Sequence, residues 1–160
     1  MAHLAANVDY VADLATIRES YISATPQQRL HIIRQRLEDH HFGPNRLVTA
    51  VSAVEALARC LLQHVGARSK ADLRANYPRY KKWVATSLVR EYLAKRGVTD
   101  PSAFLEQDNW KLLGYAVEFR NVLVHECTYL GLDKFPSLIE ACEVVLAKLV
   151  ALGRVPVRGA

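Results

Sequence analysis

The sequence predicts an all-α protein, and three observations carry that prediction. Apolar residues recur at three- and four-residue steps through nearly every segment, as one face of a helix requires. The segments are punctuated by N-cap residues, prolines and glycines placed where helices start and stop. No run alternates apolar and polar residues, and no Asn-Gly hairpin occurs.

The elements follow in order. Leu4, Val8, Val11, Leu14 (or Ala15), Ile17 and Tyr21 form the stripe of a first amphipathic helix. Thr25-Pro26-Gln27-Gln28 reads as an N-cap, a first-turn proline and a capping-box glutamine, opening a second helix to about His40. Gly43-Pro44 breaks the chain. A long third helix is expected from about Asn45 to His64, with Leu47, Val51, Val54, Ala58, Leu61 and Val65 as its core stripe and Gly66 as its stop. Ser69 caps a short helix predicted to end before Tyr77-Pro78, and another runs from about Arg79 to Arg96, closed by Gly97. Asp100-Pro101 opens a brief helical turn. A helix from about Asn109 to Glu126 follows. After the turn Leu130-Gly131-Leu132-Asp133, a last helix carries Leu138, Cys142, Val145, Leu149 and Leu152, and the tail from Gly153 is expected to fray.

The chain has 160 residues, of which 51% are hydrophobic, with charges interspersed. That suits one globular domain with a full core and argues against disorder. The longest apolar runs fall well short of the ~20 residues of a membrane span, so no membrane association is expected. Met1-Ala2-His3-Leu4 does not read as a secretory signal. Cys60, Cys127 and Cys142 make an odd count without a Cys-x-x-Cys pair, which fits a reducing cytoplasm better than a disulfide framework or zinc ribbon.

The net charge is +5, unevenly placed. Between Gly66 and Gly97 stand nine basic residues (Arg68, Lys70, Arg74, Arg79, Lys81, Lys82, Arg90, Lys95 and Arg96) against Asp72 and Glu91. Tyr77, Tyr80, Trp83 and Tyr92 are interleaved. Cations mixed with aromatics suit a phosphate backbone with unstacked bases. A solvated helix face with its aromatics turned inward is an equal alternative.

The helix around Asn109–Glu126 holds the chemistry. At 100° per residue, Leu112, Ala116, Phe119 and Leu123 form one stripe, expected in the core. Gly114, Glu118, Asn121 and His125 run along the opposite side. Glycine mid-helix costs about 1 kcal/mol relative to alanine, and its return is close approach by a helix or ligand. Leu113, Val117 and Val124 make a second apolar flank, with Arg120 among them, so part of that flank could form a subunit seam. Arg120 and His125 lie roughly 140° apart by helical rotation, which favours a site completed by a second protomer over a single-helix site.

The Arg-to-His spacing alone is weak, since Arg36/His41 and Arg59/His64 share it. Context separates the third pair: Arg120-Asn121-Val122-Leu123-Val124-His125, with Val51-Ser52-Ala53-Val54-Glu55-Ala56-Leu57-Ala58-Arg59 on an earlier helix. This Arg-Asn-x-x-x-His arrangement, with a glutamate and a basic residue four positions on, resembles the HEPN superfamily. The resemblance covers about residues 44–152, leaving 1–42 as one or two accessory N-terminal helices on a single domain spanning 1–160. It implies an up-and-down helical bundle, a homodimer and a metal-independent ribonuclease using no cofactor. Arg120, Asn121 and His125 are the implied catalytic residues, with Glu55 beside them. The implied substrate is RNA, for which Arg59, Arg79, Lys81 and Lys82 are the binding candidates. The products the resemblance implies are a 2′,3′-cyclic phosphate and a 5′-hydroxyl. A toxin or defence effector of this kind would be restrained by an antitoxin or a nucleotidyltransferase-type partner. The alternative within the same resemblance is a non-catalytic module that binds RNA or a protein.

The residue types suit the chemistry. Histidine exchanges protons near neutral pH, and a guanidinium stabilises the added negative charge of a phosphorane. Structural readings stand beside these roles. Arg120 could bond a neighbouring helix end, His125 could cap its own helix, and Glu55 with Arg59 could be a surface ion pair. His40 and His41 read as loop histidines, with no third ligand to make a metal site. Cys127 reads as a buried structural thiol.

Overall fold

A computed structural model describes residues 9–38, 45–128 and 131–157. Among these residues every regular element is helical: α1 (Tyr10–Ile22), α2 (Pro26–Glu38), α3 (Asn45–His64), α4 (Lys70–Tyr80), α5 (Ala85–Lys95), α6 (Pro101–Leu105), α7 (Gln107–His125) and α8 (Phe135–Leu152). Leu4, Val8, His40, His41 and Leu130, which figured in the sequence reading, lie outside the described residues. No described helix is long and apolar enough to cross a membrane.

The caps form as their sequences specify. Thr25 Oγ1 accepts from the Gln28 amide, and Gln28 Oε1 accepts from the Thr25 amide. Ser69 and Asp72 make the same reciprocal box ahead of α4, and Asp100 Oδ1 accepts from the Ser102 and Ala103 amides ahead of α6.

α3 is the central helix and packs against α2, α4, α5, α7 and α8. Its predicted stripe from Leu47 to Leu61 is buried, whereas Val65 falls past the helix end and is exposed. Ala50, Ala53, Leu57 and Leu62 are buried as well, so α3 is covered on more than one side. Each fully buried leucine there contributes about 2 kcal/mol of apolar transfer. Among the described residues the one buried polar side chain is Gln63. Its Nε2 donates to the carbonyls of Ile22 (3.3 Å) and Leu73 (3.2 Å), tying the ends of α1 and α4 to α3.

Among the described residues, the ion pair and ring contact that hold α1 lie towards its C-terminal end. Arg74 Nε donates to both Glu19 carboxylate oxygens at 3.1 Å, which holds that carboxyl below its usual range, and Tyr21 meets Tyr77 at 5.8 Å between ring centres. The predicted stripe does not enter a core: Val11 is 79% exposed, and Leu14 and Ile17 are also open. Periodicity made the helix, but no described segment covers it.

Two boundaries differ from expectation. α4 continues through Pro78 to Tyr80, and α5 starts only at Ala85. A proline in the last turn removes one backbone bond without blocking the turn ahead of it, while buried Tyr80 anchors the end of α4. The tail beyond Gly153 does not fray at once, because Val155 is buried and its amide donates to Val150 O at 3.0 Å.

Candidate functional site

α7 carries the candidate residues, and its rotation in the bundle decides what they can do. The deepest positions are Leu113, Ala116 and Val117, with Leu112, Phe119 and Leu123 half-buried beside them. The stripe predicted as core, Leu112-Ala116-Phe119-Leu123, is therefore one margin of a wider buried arc. A helix apolar on two sides lets its partners choose the centre. Here Leu113 and Val117 of the second flank join Ala116 of the predicted stripe, while Val124 of that flank is 54% exposed. Arg120 is seven residues beyond Leu113, within about 20° of it around the helix. It continues the covered face.

On that face Arg120 meets α3. Its Nη2 donates to Glu55 Oε1 at 2.7 Å, and its Nε donates to Asn121 Oδ1 at 3.0 Å. The Arg120 and Glu55 side chains are 16% and 15% exposed, so the pair is mostly withdrawn from water and correspondingly well oriented. Burial pushes the neighbouring Cys142 thiol up to about 12, with Glu143 acting in the same direction and Arg120 against it. Arg120 thus lies between α3 and α8.

His125 lies on the other side. With Lys111, Tyr115, Glu118 and Val122 it forms an exposed stripe, roughly opposite Leu113 and Val117. Gly114 borders that stripe, and a Cβ built there meets nothing within 4 Å. Among the described residues nothing makes the close approach that would require this glycine. Tyr115 and Val122 are 55% and 51% exposed, an unusual outlay of apolar surface on a helix already packed on its other side.

The structure thus brings Glu55, Arg120 and Asn121 into one bonded cluster and places His125 apart from it. Glu55 does not pair with Arg59, its neighbour one turn along α3. Arg59 Nε instead donates to Tyr80 O at 3.3 Å, fixing the end of α4. Arg79, Lys81 and Lys82 are exposed together at that end, with the Arg79 guanidinium 5.5 Å from the Tyr80 ring centre. Cys127 is exposed, not buried: it follows the helix cap with φ +49°, where the chain turns away from α7. Among the described residues no three His, Cys, Asp or Glu side chains converge as a metal site needs.

Two residues of the basic stretch acquire a role that sequence did not single out. Trp83 and Arg90 line a shallow cleft of about 460 Å³ together with Lys82, Val84, Ser87 and Glu91. The aromatic-and-cation composition of residues 66–97 was the available signal, but it could not distinguish Trp83 from Tyr80 and Tyr92, which are buried. Searched against family models, curated proteins and solved structures, the chain matches none.

Proposed function

We propose that the chain is a metal-independent RNA endonuclease of the HEPN type, acting as a homodimer. The observation that carries this reading is the Glu55–Arg120–Asn121 cluster with His125 exposed little more than one turn further along the same helix. Glu55 and Asn121 fix the guanidinium with two of its five donor hydrogens, leaving it a charged fork for a phosphate. In the reaction, histidine takes the proton of the ribose 2′-hydroxyl, and its oxygen attacks the adjacent phosphorus. The 5′-oxygen leaves with a proton from a second histidine. The products are a 2′,3′-cyclic phosphate and a 5′-hydroxyl. Arg120, 16% exposed and with three donor hydrogens not taken by Glu55 or Asn121, reaches round α7 past Asn121 to stabilise the phosphorane charge between the two steps.

One protomer offers one histidine, on the face opposite Arg120. A two-fold contact through the Tyr115–Val122 stripe, where Gly114 lets a backbone approach, supplies the second copy. The decisive experiment incubates the protein with single-stranded RNA in EDTA and compares His125→Ala. Cleavage with cyclic-phosphate ends that falls at least a hundredfold in the variant is the expected result. Cleavage that survives the substitution, or that stops with chelator alone, overturns the site. A second reading, a non-catalytic module binding RNA or a protein, draws on Arg120 being already engaged by Glu55 and Asn121. It takes over if RNA is bound and left intact.

A further inference from the structure

The cleft at the start of α5 is a second place where chemistry collects. Trp83 is half-buried, standing edge-on to Tyr80 with ring centres 5.2 Å apart, so its position is fixed while part of its ring stays accessible. Lys82 and Arg90 are exposed beside it. Arg90 is itself steadied over the Trp110 ring, 5.5 Å from its centre. The one carboxylate, Glu91, is drawn towards Lys95 at 3.7 Å, so the two cations dominate the lining. Val84 and Ser87, in an α5 first turn that no side chain caps, complete it, and the positive helix end adds to the same field.

Such a lining fits one chemistry well. A rigid aromatic face between two cations takes the planar base of an unstacked nucleotide while the cations take its flanking phosphates. A duplex hides its base faces and cannot use the tryptophan. The cleft is also connected to the α3–α7 cluster. Trp83 packs on Tyr80, the Tyr80 carbonyl accepts from Arg59, and Arg59 is four residues from Glu55, ~6 Å along α3 and on nearly the same side of it. Exposed Arg79 and Lys81 flank that route.

We propose that the Lys82–Trp83–Arg90 cleft is a stacking subsite for one base of single-stranded RNA, holding the strand a few nucleotides from Arg120. This rests on RNA being the ligand in the preceding reading, but not on its being cleaved.

The test uses a 2′-O-methyl RNA hexamer, which has no free 2′-hydroxyl to attack with. The chain has two tryptophans, so Trp110→Phe leaves Trp83 as the sole indole reporter. Titration is expected to quench that fluorescence, whereas the same sequence presented as a duplex leaves it unchanged. In the wild-type background, Trp83→Ala weakens binding of the hexamer about tenfold or more by anisotropy. Trp83→Phe, which keeps a ring against Tyr80, recovers part of the loss. Lys82→Ala and Arg90→Ala each reduce the slope of log affinity against log salt by about 0.7. Absence of hexamer binding, binding without quenching, or wild-type affinity in both Trp83 variants overturns the proposal. If the hexamer behaves as expected while unmodified RNA is never cut, the nuclease reading fails and the subsite stands.

Discussion

The two sides of α7 meet opposite surroundings. One side carries Leu113, Ala116, Val117 and Arg120 into contact with the core and with Glu55. The other carries Tyr115, Glu118, Val122 and His125 into open space. The candidate arginine is oriented and enclosed, while the candidate histidine is reachable and unrestrained. Orientation and access are both needed for acid–base chemistry on a polymer, and within one protomer this helix divides them between its faces. The difference teaches that residues five apart in a motif can belong to different tasks, one fixed by the monomer's own packing and one awaiting what docks on the outside.

The largest test of that division is chemical. Cys142 lies on the covered side near Arg120, and its thiol is pushed up to about 12, as is that of buried Cys60. At pH 8 a thiol titrating there is ionised to about one part in ten thousand, and thiolate is the reacting form. Cys127, just past His125, is exposed. One thiol of three is expected to react rapidly with an alkylating reagent in the folded protein, and mass mapping should locate it at Cys127. All three should react in urea. Rapid labelling of Cys142 under native conditions would show that the Arg120 side of α7 is not closed.

Substitutions at the two motif residues should separate next. Arg120→Ala leaves the Glu55 carboxylate largely withdrawn from water without its partner, a loss of about 3 kcal/mol. That lowers Tm by roughly 10 °C in a chain of this size. His125→Ala removes an exposed side chain and should change stability by less than about 0.5 kcal/mol. Both should lose RNA cleavage, but for the arginine the loss comes with a weakened fold. Equal melting temperatures for the two variants would contradict the enclosure of Arg120.

This contrast also marks where sequence reading stopped. The caps at Thr25, Ser69 and Asp100 were legible because their bonds are made within three residues. The α3 stripe was legible from its period, but Ala50, Ala53, Leu57 and Leu62 are buried beside it, so the period marked only part of the covered surface. On α7 the same logic found only part of the buried arc. Leu112, Ala116, Phe119 and Leu123 do pack on the core, but Leu113 and Val117 are buried too, since apolar residues on both flanks satisfy the period. Only the neighbours α3 and α8 decide between them. The α1 stripe failed differently: Val11, Leu14 and Ile17 have the period of a buried face, but period cannot supply the surface that covers it. Pro78 looked like a stop because proline disfavours helix behind it, yet burial of Tyr80 outweighed that. The pairing of Glu55 with Arg120 joins residues 65 apart and was foreshadowed only through resemblance. Likewise, Trp83 could be separated from Tyr80 and Tyr92 only once their burial was known.

Two glycines sharpen the comparison at smaller amplitude, one on each side of α7. Gly131 has φ +83°, and a Cβ there would lie 2.7 Å from Phe119 Cε1 on the half-buried margin. Gly131→Ala combines a left-handed alanine with that overlap and should cost about 2 kcal/mol, read as a lower denaturation midpoint. Gly114 is the opposite case. It sits inside a helix with nothing within 4 Å of a built Cβ, so Gly114→Ala should stabilise an isolated protomer by about 1 kcal/mol through helix propensity alone. If α7 also forms the proposed two-fold contact, the added methyl stands in the seam and weakens association. The two effects are separable by concentration. In dilute protein the variant should melt higher than the wild type, and the difference should shrink or reverse as concentration rises and wild-type dimers gain from mass action. A gain that is the same at every concentration would place the seam elsewhere than Gly114. It would also leave His125 without the second copy that the two-histidine mechanism requires at that face.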